Sequence, residues 1–455
     1  MSDYATRSFW LEDEYTPGEG LRGDRSVDVA VVGGGFTGLW TAYFLKRADP
    51  GLRVAVIERD VIGYGASGRN GGFAVTLLNR GLDDMVRAFG DDATRDAHRA
   101  VARSVQGIGE FAAEHGVDCH YEKNGLVTIA SDTSQMPRVE AEFRQAERLG
   151  LSGFRFLDRA AVQASVHSPT YQCGVREEHC AILDPARLVR GQRRVVSDLG
   201  VEVFEQTPVE DVRTEGKRVT IRTPEGIVRA DQAVLATNAY SAGFPIIQRY
   251  VAPIYSYIVL TEPLSAKHWD EIGWAGREGL EDRRTYLHYY RPTHDGRILF
   301  GGEDAPYFYN SSIGSRHDRH PEIFQLLKGD FRRTFPSLSA VRFTHEWGGP
   351  VALTIRFVPT FGTLEGGRVH YGFGYCGHGV GPTHLGGQIL RDLVLQRSSD
   401  LLDLCFVRTT ALPFPPEPLR YATITLARHL LLKQDREGRP KRDPWVLRAM
   451  TRFSG

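Results

Sequence analysis

A short apolar run, Val27 to Val32, enters the series Gly33-x-Gly35-x-x-Gly38; a helix-spaced segment follows from Phe36 to Lys46, and Val54 to Ile57 then ends at Glu58, twenty residues beyond Gly38. This order of strand, tight turn, helix and strand dictates parallel pairing, and so constrains the fold more than any other stretch. The three glycines allow the turn, the approach of a pyrophosphate to the helix N-terminus and close packing of helix on strand, while a carboxylate at Glu58 suits ribose hydroxyls. Gly33, Gly35, Phe36, Thr37, Gly38, Glu58 and its neighbour Arg59 are therefore candidate nucleotide-binding residues. A glycine turn without a ligand is the alternative.

Two further clusters separate the possible dinucleotides. Gly65-Ala66-Ser67-Gly68-Arg69-Asn70-Gly71-Gly72 begins seven residues after Glu58, where an FAD extended from ribose towards flavin would pass. Ser67 and Arg69 are available there for phosphate contacts, and Asn70, Gly71 and Gly72 complete the loop. The third cluster, Gly372 to Gly381, precedes a helix whose first turn includes Pro382 and Thr383, so free amides and the positive dipole end can face the flavin pyrimidine ring. Gly374, Gly377, His378, Gly379 and Val380 are the candidates in this turn. FAD is the favoured cofactor, and NAD the lesser alternative.

The chain has 455 residues, enough for two or three domains. Lysine plus arginine total 56 and so do aspartate plus glutamate, which excludes a whole-protein field that recruits nucleic acid or anionic membrane. Five scattered cysteines form no C-x-x-C pair, and no run reaches roughly 18 apolar residues. With no basic-then-apolar start, the expectation is a soluble cytoplasmic protein without a membrane span or a metal site.

Helical patterns run from about Leu82 to His115 and from Gln135 to Leu149, with a strand at Gly125 to Ala130 between them. Asp184-Pro185 supplies an N-cap and first-turn proline for a helix to Leu199, followed by a strand Val201 to Phe204. A meander spans Val209 to Thr237, a tyrosine-dense region of strand-like runs covers about Phe244 to Leu353, and a helix spans about Thr383 to Leu395. The expected architecture is α/β, with a Rossmann-like (GR2-type) FAD-binding domain assembled from 27–84, 184–243 and 354–398. A mixed-sheet α+β substrate-binding domain comes from 85–183 and 244–353, flanked by an N-terminal arm, 1–26, and a helical tail, 399–455.

The words Val31-Val32-Gly33-Gly34-Gly35-Phe36-Thr37-Gly38-Leu39, Gly65 to Gly72, Ala236-Thr237-Asn238-Ala239-Tyr240, and Tyr290-Arg291-Pro292 to Gly301-Gly302 give this chain its family likeness. From Ser8 to about Leu395 it resembles the D-amino-acid oxidase-like FAD-dependent oxidoreductases, particularly the gamma-glutamylputrescine oxidase-like branch. The resemblance implies oxidation of an amine C–N bond to an imine by hydride transfer to flavin N5, then hydrolysis to a carbonyl compound. It also implies that Val209 meets the adenine side through its backbone, that Thr237 lies near the pyrophosphate, and that Gly374 to Val380 border the isoalloxazine. Where some relatives carry a lysine linked to oxygen reactivity, this chain has Leu299, so oxygen and another electron acceptor both stay open. Arg356 or a neighbour stands where an aspartate is usual. The stretch 347–362 holds no cysteine, which implies a noncovalent flavin.

Eight of the 18 tyrosines fall between residues 250 and 309, a bias that suits an aromatic cavity for an amine substrate. Alternation puts Tyr255 and Tyr257 on one strand face and separates His288 and Tyr290 from Tyr289 and Arg291. Tyr257 and Tyr290 are the candidate catalytic tyrosines, with strand propensity as the bland alternative. Arg291 is a candidate anchor for a substrate carboxylate or phosphonate, with a structural ion pair as its alternative. His378 is a candidate for positioning or deprotonating the amine. Tyr421, Ile424, Ala427 and Leu431 form an apolar helix face expected to dock on the body or on a second subunit of a homo-oligomer, rather than on a membrane. The charged run Ser315 to His320 reads as a solvated loop. The rival functions are a flavin dehydrogenase with a non-oxygen acceptor and a flavin-binding scaffold without turnover.

Overall fold

A computed structural model describes residues 4–364, 366–407 and 409–438. Arg439, Lys441, Arg442 and Asp443, which the sequence places in the charged tail, lie outside the described residues.

Two eight-stranded sheets organise the chain. In the first, the order is Thr360–Thr363, Val369–Phe373, Gly226–Leu235, Arg25–Val32, Val54–Ile57 and Glu202–Phe204, and the meander strands Arg218–Thr223 and Asp211–Glu215 extend from Gly226–Leu235. Arg25–Val32 pairs in parallel with both neighbours. Its inner residues, Val29 to Val32, are at most 3% exposed, as expected for a strand covered on both sides. The second sheet runs Phe343–Leu353, Ala252–Thr261, Ile298–Gly302, His288–Pro292, Gly279–Asp282, Leu126–Ala130, Cys173–Glu177 and Phe154–Leu157. Only Gly279–Asp282 and Leu126–Ala130 pair in parallel there, so the sheet is mixed.

The first glycine turn is built as its spacing predicts. Gly33 has φ +109°, and a Cβ on it would lie 2.7 Å from the Ala236 carbonyl oxygen; a Cβ on Gly38 would lie 2.0 Å from the Gly33 oxygen. The helix Phe36–Ala48 thus seats directly on its own turn. It also packs against the helix Val380–Val394, where Gly387 admits Trp40: a Cβ on Gly387 would come within 2.5 Å of the Trp40 Cβ. The two helices that follow the first and third glycine clusters are therefore neighbours, although more than 300 residues separate them in sequence.

Asp184 caps Pro185–Asp198 by accepting from the amides of Ala186 and Arg187, both at 3.0 Å. One element differs from expectation. The helix expected over Leu82 to His115 is two, Leu82–Phe89 and Asp91–Glu114, because Gly90 takes φ +85°, a conformation that ends a helix.

Gly38→Ala is expected to destabilise the protein by about 3 kcal/mol, since a methyl group has no room against the Gly33 carbonyl. Gly329→Ala, in the helix Pro321–Thr334 with only the flexible Arg333 tip 3.8 Å away, is expected to stabilise by roughly 0.5 kcal/mol. Urea-unfolding midpoints of the two variants check both signs.

Candidate active site

One cavity of about 950 Å³ is lined by residues from both sheets. Its volume is at the upper end of small-molecule sites. Of the residues expected to bind cofactor, Gly33, Gly35, Phe36, Thr37, Glu58, Arg59, Ser67, Arg69, Asn70, Gly71, Val209, Thr237, Gly377, His378, Gly379 and Val380 line it. Gly38, Gly72 and Gly374 do not line it. Gly72 has φ +74° with its α-carbon against the Leu183 carbonyl, and Gly374 has φ +83° beside Thr354.

The three clusters meet physically. Ser67 Oγ accepts from the Phe36 amide at 2.9 Å, which ties the second cluster to the first turn of the helix Phe36–Ala48. Thr37 Oγ1 donates to the Tyr375 hydroxyl at 3.0 Å, which ties that helix to the third cluster. Glu58 accepts from the amides of Gly34 at 2.7 Å and Asp60 at 3.0 Å, and burial raises its carboxyl above the ordinary value. Arg69 gives Nε to the Tyr64 carbonyl at 2.8 Å and Nη1 to Asp318 at 3.0 Å. Asp318 is consequently buried and pairs with Arg7 as well, while Ser315, Arg316 and Arg319 of the run Ser315 to His320 stay exposed, so the expected solvated loop holds except at Asp318.

The third cluster presents His378 with its Nδ1 buried and unpaired, and burial lowers the imidazole to about 4. It is neutral at ordinary pH and suited to hydrogen bonding rather than to storing a proton. Cys376 also lines the cavity; its thiol is held up to about 11 by burial and donates to the Gly374 carbonyl at 3.2 Å. That leaves it a poor nucleophile, as suits a flavin held without a covalent bond. Asn238, which the sequence reading passed over, lines the cavity with φ +42° and accepts from the Gly374 amide at 3.2 Å.

The second sheet supplies the opposite wall, and here the expectations need correction. Registers align Ile258, Gly301, Tyr289, Glu281 and Thr128 in one row across five strands. Of these Ile258, Tyr289 and Glu281 face the cavity, and Ser256 joins them by bonding Tyr289 through their hydroxyls at 3.1 Å. Tyr257 and Tyr290 point to the other face. Tyr257 donates to the His317 carbonyl at 2.9 Å, and Tyr290 accepts from Tyr171 at 2.9 Å while stacking on Phe300. Both belong to the core beneath the helix Pro321–Thr334. The alternation was legible, but what selects the face is Gly301, whose missing side chain makes room for the Tyr289 ring; a Cβ there would lie 2.5 Å from it.

Arg291 does not reach the cavity either. It gives Nε to the Gly71 carbonyl at 2.7 Å and Nη2 to the Leu183 carbonyl at 2.8 Å, with its guanidinium 5.0 Å from the Trp10 ring centre. It braces the second glycine cluster from behind, so neither a substrate anchor nor an ion pair describes it. Leu299 is fully buried beside Trp10 and Trp347, away from the cavity. Arg356 lies off the cavity, with Nε donating to the Thr410 carbonyl at 3.3 Å. His288, Glu303 and Asp330 bring ligand atoms within 4.8 Å of one another, but the Arg284 guanidinium reaches both carboxylates, at 3.8 and 3.6 Å, and already balances their charge.

The cavity fits FAD on its own geometry. A Cβ on Gly35 would lie 2.9 Å from Ser67 Oγ, in the space between the helix and the second cluster. Val380 and Thr383 in the first turn of the helix Val380–Val394 line the same cavity as Phe36 and Thr37 of Phe36–Ala48. Two helix N-termini on one hollow suit a pyrophosphate at one and an electron-rich ring at the other.

A two-sheet protein with such a cradle is a flavin-dependent oxidoreductase. The chain belongs to the DAO family of FAD dependent oxidoreductases, whose pattern matches residues 28–393. It is 31% identical over 408 residues to gamma-glutamylputrescine oxidoreductase of Escherichia coli, covering 89% of this chain and 91% of that protein. It is 29% identical over 375 residues to the probable oxidoreductase OrdL of Haemophilus influenzae, covering 81% and 83%. The solved glycine oxidase of Geobacillus kaustophilus superposes with a TM-score of 0.68 at 17% identity, covering 85% of this chain and 99% of that one. L-proline dehydrogenase of P. horikoshii gives 0.69 at 18%, covering 85% and 96%.

Arg291→Met is expected to lower stability by about 3 kcal/mol, because two buried carbonyls lose their donors, and to weaken FAD retention. Thermal melting and flavin content after dialysis check this. Glu281 gives a pH signature. Burial raises its carboxyl to about 7 from the ordinary 4.5, so between those values the unfolded chain loses the proton and the folded one keeps it. Stability therefore falls as pH rises through that window. Glu281→Gln is expected to flatten the melting temperature between pH 5 and 7 relative to the unsubstituted protein.

Proposed function

We propose that this enzyme oxidises the C–N bond of a primary or secondary amine, an amino acid or a polyamine derivative, to an imine that water converts to a carbonyl product. The observation that carries the reading is the single cavity joining the FAD cradle to a wall bearing Tyr289 and Glu281. FAD, when bound, supplies the two-electron acceptor for a hydride from the carbon beside nitrogen. The residues proposed to hold it are those of the three glycine clusters with Glu58, Arg59, Val209 and Thr237, within a domain drawn from 27–84, 184–243 and 354–398.

The protein's part is to present the amine unprotonated, since an ammonium has no lone pair to drive hydride departure. Glu281 Oε1 accepts from Thr128 Oγ1 at 2.9 Å, while Oε2 has no hydrogen-bond partner among the described residues and is available to the amine nitrogen. Tyr289, held up to about 12 by burial, stays a neutral phenol, and neutral His378 adds a hydrogen-bonding group without charge. Apolar groups such as Ile258, Leu353 and Ile355 around the amine favour its free form by desolvating the ammonium. The relatives named for gamma-glutamylputrescine and glycine support an amine or amino-acid substrate. Cytoplasmic action belongs to this reading, supported by five cysteines that are all free. Among the described residues no helix is long and apolar enough to cross a membrane.

Anaerobic mixing of the yellow protein with a panel of amines is expected to bleach the visible flavin band with at least one of them. Glu281→Gln is expected to slow that bleaching by about a hundredfold at pH 7. Failure of every amine to bleach it, with FAD bound, would favour the scaffold reading. Parallel assays of peroxide and of an artificial acceptor then decide between oxidase and dehydrogenase.

A further inference from the structure

The helix Leu419–Arg436 lies beyond residue 393, where the family pattern ends, yet it forms part of the cavity. Ile424, Ala427 and Leu431 are its buried residues, and all three line the hollow. They continue an apolar lining supplied from the body by Leu353, Ile355 and Phe414. Ile424 packs in one cluster with Ile355 and Phe414, and where such an apolar face also borders a cavity it is a surface for a ligand's apolar part.

Three acid-centred contacts fix the helix, one near each end and one in the middle. Glu417, just before it, accepts from the Tyr307 hydroxyl at 2.5 Å and from the Asn310 amide at 3.1 Å. Arg428 makes a two-pronged pair with Asp304, with Nε to Oδ1 at 2.6 Å. Asp435 accepts from the amides of Thr285 and Tyr286, both at 2.9 Å. The segments so held are the two that lead into and out of the hairpin carrying Tyr289, so the helix is registered against the amine-facing wall. Bidentate pairing adds geometric specificity that a sliding apolar contact lacks.

Resting on the amine reading above, we propose that this C-terminal helix is the specificity wall of the enzyme. It receives the non-reacting arm of the substrate, an apolar chain, against Ile424, Ala427 and Leu431. Ala427 is the size-limiting position, being the smallest of the three and facing the hollow directly.

The test uses full-length, FAD-loaded protein titrated with primary n-alkylamines from propyl to octyl, with affinity read from the change in the visible flavin band. Binding is expected to tighten about fourfold per methylene while the chain lies on the helix face. Ala427→Trp is expected to end that gain at a shorter chain, weakening octylamine by about tenfold or more and propylamine by less than about twofold, with FAD content unchanged. Quenching of flavin fluorescence by iodide is the second readout, expected to rise in Arg428→Ala and to fall in Ala427→Trp. An unaltered chain-length profile in Ala427→Trp, or unaltered iodide quenching in both variants, would overturn the proposal. If no alkylamine perturbs any form, the apolar-arm assignment falls, and the anaerobic amine panel separately decides the amine reading.

Discussion

The loop Gly65 to Gly72 sits where the two sheets meet, and its backbone is held by side chains from every direction. Arg291 reaches the Gly71 carbonyl, Trp347 donates Nε1 to the Arg69 carbonyl at 2.8 Å, Trp10 donates to the Asn70 carbonyl at 2.9 Å, and Ser8 to the Gly68 carbonyl at 2.6 Å. A buried glycine-rich loop carries many peptide groups and few side chains, so it keeps a defined shape only if those groups find partners. Here the partners come from the N-terminal arm and from two strands of the second sheet. Binding surface and sheet junction are thus one construction, and loosening it would disturb the cofactor cradle and the substrate wall together.

Much of this was legible in the sequence, for reasons that differ by residue. Gly33, Gly35 and Gly38 are legible because backbone crowding admits nothing else, and Glu58 because its distance from them follows from one helix and one strand. The third cluster was read as flavin-facing from its glycines and following helix, but the Gly387 and Trp40 contact that brings its helix against the first has no local signature. Tyr290 and Arg291 show where reading stops. Period-two alternation sorts side chains into two faces but does not label which face meets ligand; that depends on Gly301 and on the helix Pro321–Thr334 filling the other side. Glu281 escaped notice because a lone carboxylate in a short strand looks like any surface charge until burial is known.

Burial also sets the charge state of several groups that face the hollow. Neutral His378, phenolic Tyr289, protonated Cys376 and a Glu281 carboxyl raised to about 7 leave a surround of low charge at the substrate end. Two of the full charges in the lining are paired, Arg69 on Asp318 and Arg428 on Asp304. A paired charge stiffens a wall without adding a strong field inside it, and this is the condition under which one carboxylate can discriminate a nitrogen.

The same logic reaches past the cavity to the turn that carries Asp304. His288 is buried with Nδ1 on Asp282 at 2.8 Å and Nε2 near Glu303 at 3.1 Å and Asp330 at 3.2 Å. Burial opposes a charge on this imidazole, but the Asp282 carboxylate overrides it and holds His288 above the ordinary value. Glu303 takes φ +69°, an uncommon conformation for a residue with a side chain, and its carboxylate is fixed by His288 in that shape. Asp304 follows at once and meets Arg428 of the C-terminal helix. The buried imidazole therefore sets a strained turn, the turn aims a carboxylate, and the carboxylate positions a helix that lines the substrate end. Such a chain of fixed geometry explains why a charged cluster is retained in the interior, where an apolar replacement of equal volume would cost less to desolvate but would leave the turn without its direction.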